Sequence, residues 1–421
     1  MAAKKKDAKA TPASAVAPLA TPTETSPLEP AVRVANPVGS FDPDAGHAPK
    51  VILKRNKVLV PLVAVALGFL VGSIVILITG KSPLLMFNAL IQGVTGINIA
   101  LGGFNPRHIG ELVIQAMPII LTGLSVGFAF RTGLFNTGAE GQLMVGALAA
   151  TAVALTVKAP TIIHVPLILL AGAGAGGIWG AIPGYLKARF NVHEVVVTIM
   201  LNYTALHFNN WTILNVFGSV DRVKTAEFPV TALLKDPWLA DLTNGSRLNW
   251  GFVPVILSLV LYWFIIEKTT FGYGLRAVGF NKDAARYAGM KVKRNVALSM
   301  AIAGAFAGLA GAIITIGTFN FGRALSAAEG YGFDGIAVAL VGMTQAPGIL
   351  LAGLLFGMLK SAGPLMQSAG IPKEIGGIIQ ASIVLFVGMK LGIERIIDIA
   401  RGKRADRLAL AAAENAGEVG V

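Results

Sequence analysis

Ten apolar runs, each at or near the length that crosses a bilayer as a helix, follow one another along this chain. A hydrocarbon core about 30 Å thick needs about 20 helical residues for each crossing. Helices also satisfy their own backbone hydrogen bonds, which lipid cannot do. The sequence therefore predicts an all-α integral membrane protein. Its predicted spans lie near 58–79, 109–130, 139–157, 165–186, 194–214, 252–266, 296–318, 333–346, 348–363 and 374–390.

The composition agrees with this class of protein. Hydrophobic residues make up 54% of the chain and charged residues only 14%, against roughly 25% charged residues in soluble domains. The mean hydropathy is +0.68. The chain has no Cys, which excludes disulfides and thiolate metal sites, and its five His residues show no metal-ligand spacing. We therefore expect neither a metal nor another cofactor.

The two ends of the chain differ from its apolar middle. Residues 1–57 are rich in Pro and Ala, carry basic residues and lack apolar periodicity, which predicts a disordered cytosolic tail. The first apolar run begins near Val58, too late for a secretory signal, and lacks a convincing cleavage site. We interpret it as an uncleaved first span. The predicted organisation is this tail, a transmembrane domain over 58–395 and a cytosolic tail over 396–421.

The net charge of +13 is distributed unevenly. If ten runs cross the membrane and 84–101 forms an outer-face or re-entrant helix, most of the 35 Lys and Arg residues lie on one side. Basic residues are enriched in cytoplasmic loops, so this side, with both termini, is expected in the cytosol. The bilayer thus accounts for the charge, and no nucleic-acid partner is expected.

The polar interruption at 269–293 carries the most one-sided charge. Seven Lys and Arg residues lie between Lys268 and Arg294, against two acidic residues, Glu267 and Asp283. This excess favours either a surface that a cytosolic protein grips or a solvated basic loop beside anionic lipid.

Small residues within this interruption recur at helical spacing. Ala284 and Ala288 are four residues apart, as are Ala285 and Gly289. Residues four apart lie on the same face of a helix. The pattern predicts a smooth helix side that can enter a groove on a partner.

Five polar residues fall at or inside predicted spans: Asn136, Glu140, Gln142, Glu194 and Asn202. Charged groups at membrane depth are costly, so they are usually paired or functional. We interpret Glu140 and Glu194 as anions placed at the starts of their own helices, which favour negative charge. Asn202 lies deeper and is expected to contact a polar solute or to form an interhelical hydrogen bond. As a group, these residues are predicted to line a translocation path or to support it.

Glycines recur every four residues in three of the predicted spans. Gly172, Gly176, Gly180 and Gly184 form one such row, Gly304 and Gly308 form a second, and Gly353 and Gly357 form a third. Small residues at this spacing allow close approach of helix backbones in membranes. The pattern predicts close helix packing.

Four segments together resemble a known family: FNTGAEGQLMVGA (135–147), HEVVVTIMLNY (193–203), GLRAVGFNKDAARYAGMKV (274–292) and GFDGIAVALVG (332–342). They resemble permease subunits of ABC importers that serve ribose, branched-chain amino acids and nucleosides, most closely the nucleoside (simple-sugar-like) branch. The resemblance covers about residues 58–395 in the expected order. It does not extend to the amino-terminal tail, and His193 stands where that branch commonly has Asn.

The resemblance implies a bacterial inner-membrane subunit of about ten helices that is not itself an enzyme. It implies four kinds of partner: a cytosolic ATPase, a second permease subunit of paralogous sequence, an extracytoplasmic solute-binding lipoprotein and the lipid bilayer. It also identifies 269–293 as the coupling loop to the ATPase. The implied coupling residues are Arg276, Gly279, Asn281, Ala284, Ala285 and Gly289.

Two other functions are compatible with a polytopic chain. An ion-coupled secondary transporter of a small polar solute would need intramembrane ionisable groups, for which Glu140 and Glu194 are the candidates. An intramembrane enzyme would need a nucleophile with a base or a metal, and the sequence has no such constellation.

Overall fold

The computed structural model describes residues 59–99, 102–218 and 223–389. The predicted tails, 1–57 and 396–421, lie outside these ranges, as do the ends of the predicted transmembrane domain. Fifteen α-helices form within the described ranges. They are α1 (Leu59–Ile78), α2 (Pro83–Thr95), α3 (Arg107–Arg131), α4 (Ala139–Thr156), α5 (Thr161–Phe190), α6 (Glu194–Asn215), α7 (Pro237–Leu242), α8 (Phe252–Lys268), α9 (Thr270–Phe280), α10 (Lys282–Tyr287), α11 (Val292–Ile313), α12 (Tyr331–Val341), α13 (Ala346–Ser361), α14 (Gly363–Ser368) and α15 (Glu374–Gly388).

The all-α membrane fold is confirmed, and every predicted span coincides with a helix. Among the described residues, six helices are long and apolar enough to cross a membrane by themselves: α1, α3, α4, α5, α11 with its π-helical end, and α13 continuing into α14. The pair α8 and α9, bent by 72°, is a seventh if it counts as one span. The shorter apolar helices are α2, α12 and α15.

Helix α3 forms the centre of the bundle. It packs against α4, α8, α11, α12 and α13, and it is buried along most of its length. Its fully buried side chains include Ile119, Leu121, Leu124 and Phe128. The position along α3 that a neighbouring helix contacts therefore shows how deep that helix lies in the bundle.

The predicted glycine packing is confirmed between α5 and α11. A Cβ atom on Gly176 would lie 2.6 Å from Gly308 Cα, and one on Gly180 would lie 3.0 Å from Gly304 Cα. The other side of α5 is open, since nothing lies within 4 Å of a Cβ on Gly174. Backbones therefore touch along this seam, as expected where lipid provides no hydrophobic drive for association.

Helix α12 corrects the prediction of a full span at 333–346. Its start lies beside the middle of α3, where the Thr122 hydroxyl is 2.8 Å from the Tyr331 carbonyl oxygen. Its far end reaches the end of α3, where Arg131 Nε donates to the Thr344 carbonyl over 3.2 Å. Eleven residues rise only about 16 Å, roughly half of the hydrocarbon thickness. The predicted run, 333–346, was already short for a crossing, and Gly330, with φ +85°, begins the helix inside the bundle.

The short helix α2 lies at the opposite end of α3 from Arg131. Its Gln92 Nε2 is 3.3 Å from His108 Nε2 near the start of α3. Its 13 residues are too few for a crossing, which agrees with the prediction of an outer-face or re-entrant helix at 84–101. The start of α1 and the end of α15 lie together near Thr344, because Val60 and Val387 line one groove with it. Both described ends therefore share the Arg131 side of the bundle.

Candidate translocation and coupling sites

The predicted polar residues at the start of α4 bond to one another. Asn136 Nδ2 donates to Gln142 Oε1 (2.9 Å) and to Ser125 Oγ on α3 (3.1 Å). Gln142 Nε2 donates back to Asn136 Oδ1 over 3.1 Å. All three side chains are buried. The polar atoms of Asn136 and Gln142 are therefore paired within the fold, across the turn between α3 and α4.

Asn202 joins this turn to α6. Its Oδ1 accepts from the Gly141 backbone N–H over 2.9 Å, and its Nδ2 donates to the Thr137 carbonyl over 2.9 Å. Of the two roles that the sequence left open for this residue, the geometry favours the interhelical hydrogen bond.

Glu140 lies in the first turn of α4, as predicted, but its carboxylate bonds to the start of another helix, α12. Its carboxylate oxygens accept from the backbone N–H groups of Gly330 (2.9 Å) and Gly332 (2.5 Å). These groups are among the unpaired donors at the start of α12. A helix start favours negative charge, so the Glu140 carboxylate stabilises the start of α12 inside the bundle. Because α12 spans only about half of the hydrocarbon thickness, we call it the half-helix.

Glu194 also has a specific partner. Its Oε2 lies 2.9 Å from Lys187 Nζ, and both side chains are largely buried. The ion pair closes the turn between α5 and α6. A structural role for Glu194 is therefore favoured, though through a lysine rather than through helix-start N–H groups alone.

Two further ion pairs surround the start of α12. Asp334 Oδ2 lies 2.6 Å from Lys360 Nζ on α13. Arg323 makes a two-pronged contact with Glu329 (2.8 and 3.0 Å). Sequence reasoning missed both pairs, although a lysine inside a predicted span is itself a signal that a carboxylate lies nearby.

A charged cluster fixes the coupling segment to the bundle. Glu267, at the end of α8, lies between Arg131 of α3 (2.8 Å) and Arg276 of α9 (2.5 Å). Gly279 lies against Arg131, and a Cβ there would collide with the Arg131 carbonyl oxygen. Of the predicted coupling residues, Arg276 and Gly279 thus position the segment.

A helix, α10, forms where the coupling helix was predicted, but it is shorter than the small-residue pattern indicated. Asn281 caps α10, its Oδ1 accepting from the N–H groups of Asp283 (2.9 Å) and Ala284 (3.0 Å). The helix ends at Tyr287, and Gly289 adopts φ +79°, as is typical just past a helix end. Gly289 therefore ends α10, and the prediction that it continues a smooth helix side is wrong.

Ala285 likewise differs from the prediction that it forms part of a docking side. It is buried within the chain's own core, whereas Ala284, Ala288 and Gly289 are exposed. Ala285 therefore seats α10 on the bundle instead of meeting a partner.

Two aromatic residues that the sequence analysis missed are the most exposed large side chains of this segment. Phe280 is 91% exposed and Tyr287 is 94% exposed, and the exposed cations Lys282 and Arg286 lie between them in the chain. We call these four residues the coupling surface. Exposed aromatic side chains beside polar groups are characteristic of protein interfaces. In the sequence, Phe280 and Tyr287 flank the cations Lys282 and Arg286, and this pattern was the available signal.

On the other side of the bundle, the loop before α8 is organised by one carboxylate. Asp236 accepts from the Trp250 indole N–H (2.9 Å) and from the Trp238 backbone N–H (2.9 Å). These two hydrogen bonds hold the pKa of Asp236 below its ordinary value. The indole rings of Trp238 and Trp250 stack above this contact, with centroids 6.4 Å apart.

Together these features define a multi-pass helical membrane protein with a half-helix anchored inside the bundle and a basic, aromatic segment at one face. A family model described as the permease component of branched-chain amino acid transport systems matches residues 108–388. The chain belongs to this permease family.

Two relatives match across almost their full length. The chain is 46% identical to the guanosine ABC transporter permease protein NupP of Bacillus subtilis (84% of this chain, 100% of the relative). It is 38% identical to the nucleoside ABC transporter permease protein NupB of Lactococcus lactis (84% and 96%). It also matches a second B. subtilis permease, NupQ, at 29% identity (63% and 84%). No solved structure matches the chain.

Proposed function

We propose that this chain is the membrane-spanning subunit of an ATP-driven importer and forms part of the translocation path for nucleosides. The observation that carries the proposal is the similarity to NupP and NupB along nearly their whole length. In this proposal the helical bundle forms part of the path, and a separate partner subunit hydrolyses ATP.

The coupling surface is the proposed docking site of the cytosolic ATPase. Phe280 and Tyr287 supply apolar contact area, and Lys282 and Arg286 can pair with acidic groups of the partner. Since Glu267 clamps α9 to α3 through Arg276 and Arg131, movement at this surface is transmitted to the core of the bundle. This assignment places the Arg131 side, with both described ends, in the cytosol.

A second permease subunit and an extracytoplasmic solute-binding lipoprotein complete the proposed assembly. The relatives include two permeases in each of two bacteria, NupP with NupQ and NupB with NupC. This pairing supports a paralogous second subunit rather than a second copy of this chain.

The test is reconstitution of the complex into vesicles with radiolabelled guanosine. Uptake should require ATP and the binding protein, and the chain alone should hydrolyse no ATP. Uptake driven by an ion gradient without ATP would instead support a secondary transporter.

A pair of variants tests the docking site within this assembly. Tyr287→Ala should uncouple solute-stimulated ATP hydrolysis from uptake or release the ATPase on gel filtration. Phe190→Ala is the matched control, because Phe190 is also exposed but ends α5 outside the coupling segment. Equal behaviour of the two variants would contradict the proposed docking site.

A further inference from the structure

Helix α6 has two opposite faces of different chemistry. One face is buried and carries Thr198, Asn202, Ala205, Asn209 and Thr212. On the opposite face, Tyr203, His207 and Trp211 follow one another at four-residue spacing, and we call them the aromatic ladder. Tyr203 is 62% exposed and Trp211 is 58% exposed, and His207 is exposed as well.

The aromatic ladder lies at membrane depth. Below it, Asn202 bonds to Gly141 at the start of the apolar span α4. Along it, Ala205 packs with Met144 and Val145 of the same span. The ladder covers eight residues of helix, about 12 Å. It is therefore enclosed between the two ends of α4 rather than placed at a membrane surface, where Tyr and Trp are usual.

Lipid is a poor neighbour for this face. On α1 the large exposed side chains are aliphatic, such as Leu62, Leu70, Ile74 and Leu77. On α8 they are aliphatic along most of the helix (such as Ile256, Leu257, Val260 and Leu261), and two aromatic residues, Trp263 and Phe264, are exposed nearer its end. A Tyr hydroxyl and a His ring need hydrogen-bonding partners that hydrocarbon lacks. The contrast indicates that α6 turns this face towards a polar environment.

Direct backbone contact with a partner helix is not expected at this face. Where this chain brings two helix backbones together, as between α5 and α11, glycines line the contact. The ladder has no small residue at its three positions.

Two asparagines of α6, Asn209 on the buried face and its neighbour Asn210, hold the segment that leads into α12. Asn209 Nδ2 donates to the Arg323 carbonyl over 2.9 Å, and Asn210 Nδ2 donates to the Leu325 carbonyl over 2.7 Å. These bonds tie the segment that leads into α12 to the side of α6. The exposed ring of Phe333 on α12 adds a further aromatic group near the middle of the bundle.

We propose that the aromatic ladder lines the translocation path and offers stacking surfaces to the base of a passing nucleoside. This inference rests on the proposed function, because it takes its solute from there. Every nucleobase has a π-face, so aromatic side chains can hold successive bases without selecting one of them. The Tyr203 hydroxyl and the His207 ring nitrogens can bond the polar edges of the base or the ribose.

The first experiment measures whether water reaches the ladder. In the otherwise cysteine-free chain, His207→Cys in the reconstituted complex is treated with a charged, membrane-impermeant methanethiosulfonate reagent. Modification of this subunit is followed by the loss of later maleimide labelling. Phe264→Cys is the matched control, since Phe264 is an exposed apolar residue on another membrane helix, α8.

We expect the His207→Cys variant to be modified, the Phe264→Cys variant to be resistant, and guanosine to slow modification of the former. Resistance of both variants would overturn the proposal, because the ladder would then face lipid or a tight protein contact. Modification without protection by guanosine, in a complex that imports guanosine, would overturn the assignment of the base to the ladder.

The second experiment separates stacking from assembly. Loss of one stacking surface in Trp211→Leu should lower guanosine uptake roughly 5- to 150-fold at subsaturating solute, while Trp211→Phe and the control Phe264→Leu retain uptake. The yield of assembled complex and its basal ATP hydrolysis should not change. Normal uptake by the Trp211→Leu variant, or its failure to assemble, would count against the proposal.

Failure of the proposed function itself has a separate signature. A wild-type complex that assembles but takes up no nucleoside would refute the nucleoside function. The accessibility difference between His207→Cys and Phe264→Cys would still report whether the ladder lines a water-filled path.

Discussion

Replacing Glu140 by Gln tests whether the half-helix depends on a buried carboxylate. The substitution keeps the size of the side chain and one acceptor oxygen. It removes the charge and turns the second oxygen, which accepts from Gly332 N–H over 2.5 Å, into an NH₂ group. The amide NH₂ group would then face the Gly332 N–H group, so that two donors meet. If the amide rotates, its NH₂ group faces the Gly330 N–H group instead.

The expected cost follows from these two bonds. Hydrogen bonds to charged groups contribute about 1.5–3 kcal/mol each, and a buried group left unpaired costs about 1–3 kcal/mol. Losing one such bond and weakening the other predicts destabilisation by about 2–5 kcal/mol. The control is Glu111→Gln, which weakens an ion pair with Arg247 that is partly exposed. There we expect about 0–1 kcal/mol.

The assay is unfolding of the purified subunit in mild detergent by increasing mole fractions of SDS, followed by circular dichroism. Glu140→Gln should unfold at a clearly lower SDS fraction than the wild-type chain and Glu111→Gln. Uptake is then measured on folded material. Wild-type resistance to SDS together with abolished uptake would refute the reasoning, because Glu140 would then act in the path and not in support of α12.

Three other predictions concern packing, hydrogen bonding and pH. Gly176→Val should destabilise the SDS-resistant fold by about 1–3 kcal/mol through overpacking against α11, whereas Gly174→Val, with nothing within 4 Å, should not. Asn202→Leu should lower the yield of folded subunit, because two buried backbone groups lose their partner at about 1–3 kcal/mol each. Since hydrogen bonding lowers the native pKa of Asp236, its stabilisation of the loop is present above the unfolded pKa of about 3.9. It is lost as pH falls through the native pKa, which fluorescence of Trp250 should report and Asp236→Asn should abolish.

Helix positions could be predicted from this sequence because each crossing must repeat the same physical requirement. Twenty apolar residues form a signal that needs no tertiary information. The glycine row of α5 was also readable, because its partner row on α11 has the same spacing. The half-helix could not be recognised from the sequence, because its apolar run, although short, resembles a span. Its start inside the bundle is bonded to Glu140, which lies 190 residues from Gly330 in the chain.

In the candidate sites, too, some features could be predicted from the sequence and others are visible only in the fold. Asn136, Gln142 and Asn202 could be identified as polar residues that need a partner, but only the fold shows that they satisfy one another or the adjacent backbone. Gly289 was read as part of a helix side because periodicity does not reveal a positive φ. The aromatic ladder was overlooked although its four-residue spacing is visible in the sequence, because exposure at membrane depth cannot be read from spacing.

The dependence of α12 on Glu140 imposes an order of events on biosynthesis. The carboxylate leaves the ribosome 190 residues before the Gly330 N–H group that it will bind. At about 5–20 residues per second, this interval is roughly 10–40 s. During that time the nascent chain holds an unmatched acid in α4, while α5, α6, α8 and α11 are still being inserted. The hydrated or protein-lined environment of the insertion machinery must shelter this group, and arrival of the half-helix closes the bundle.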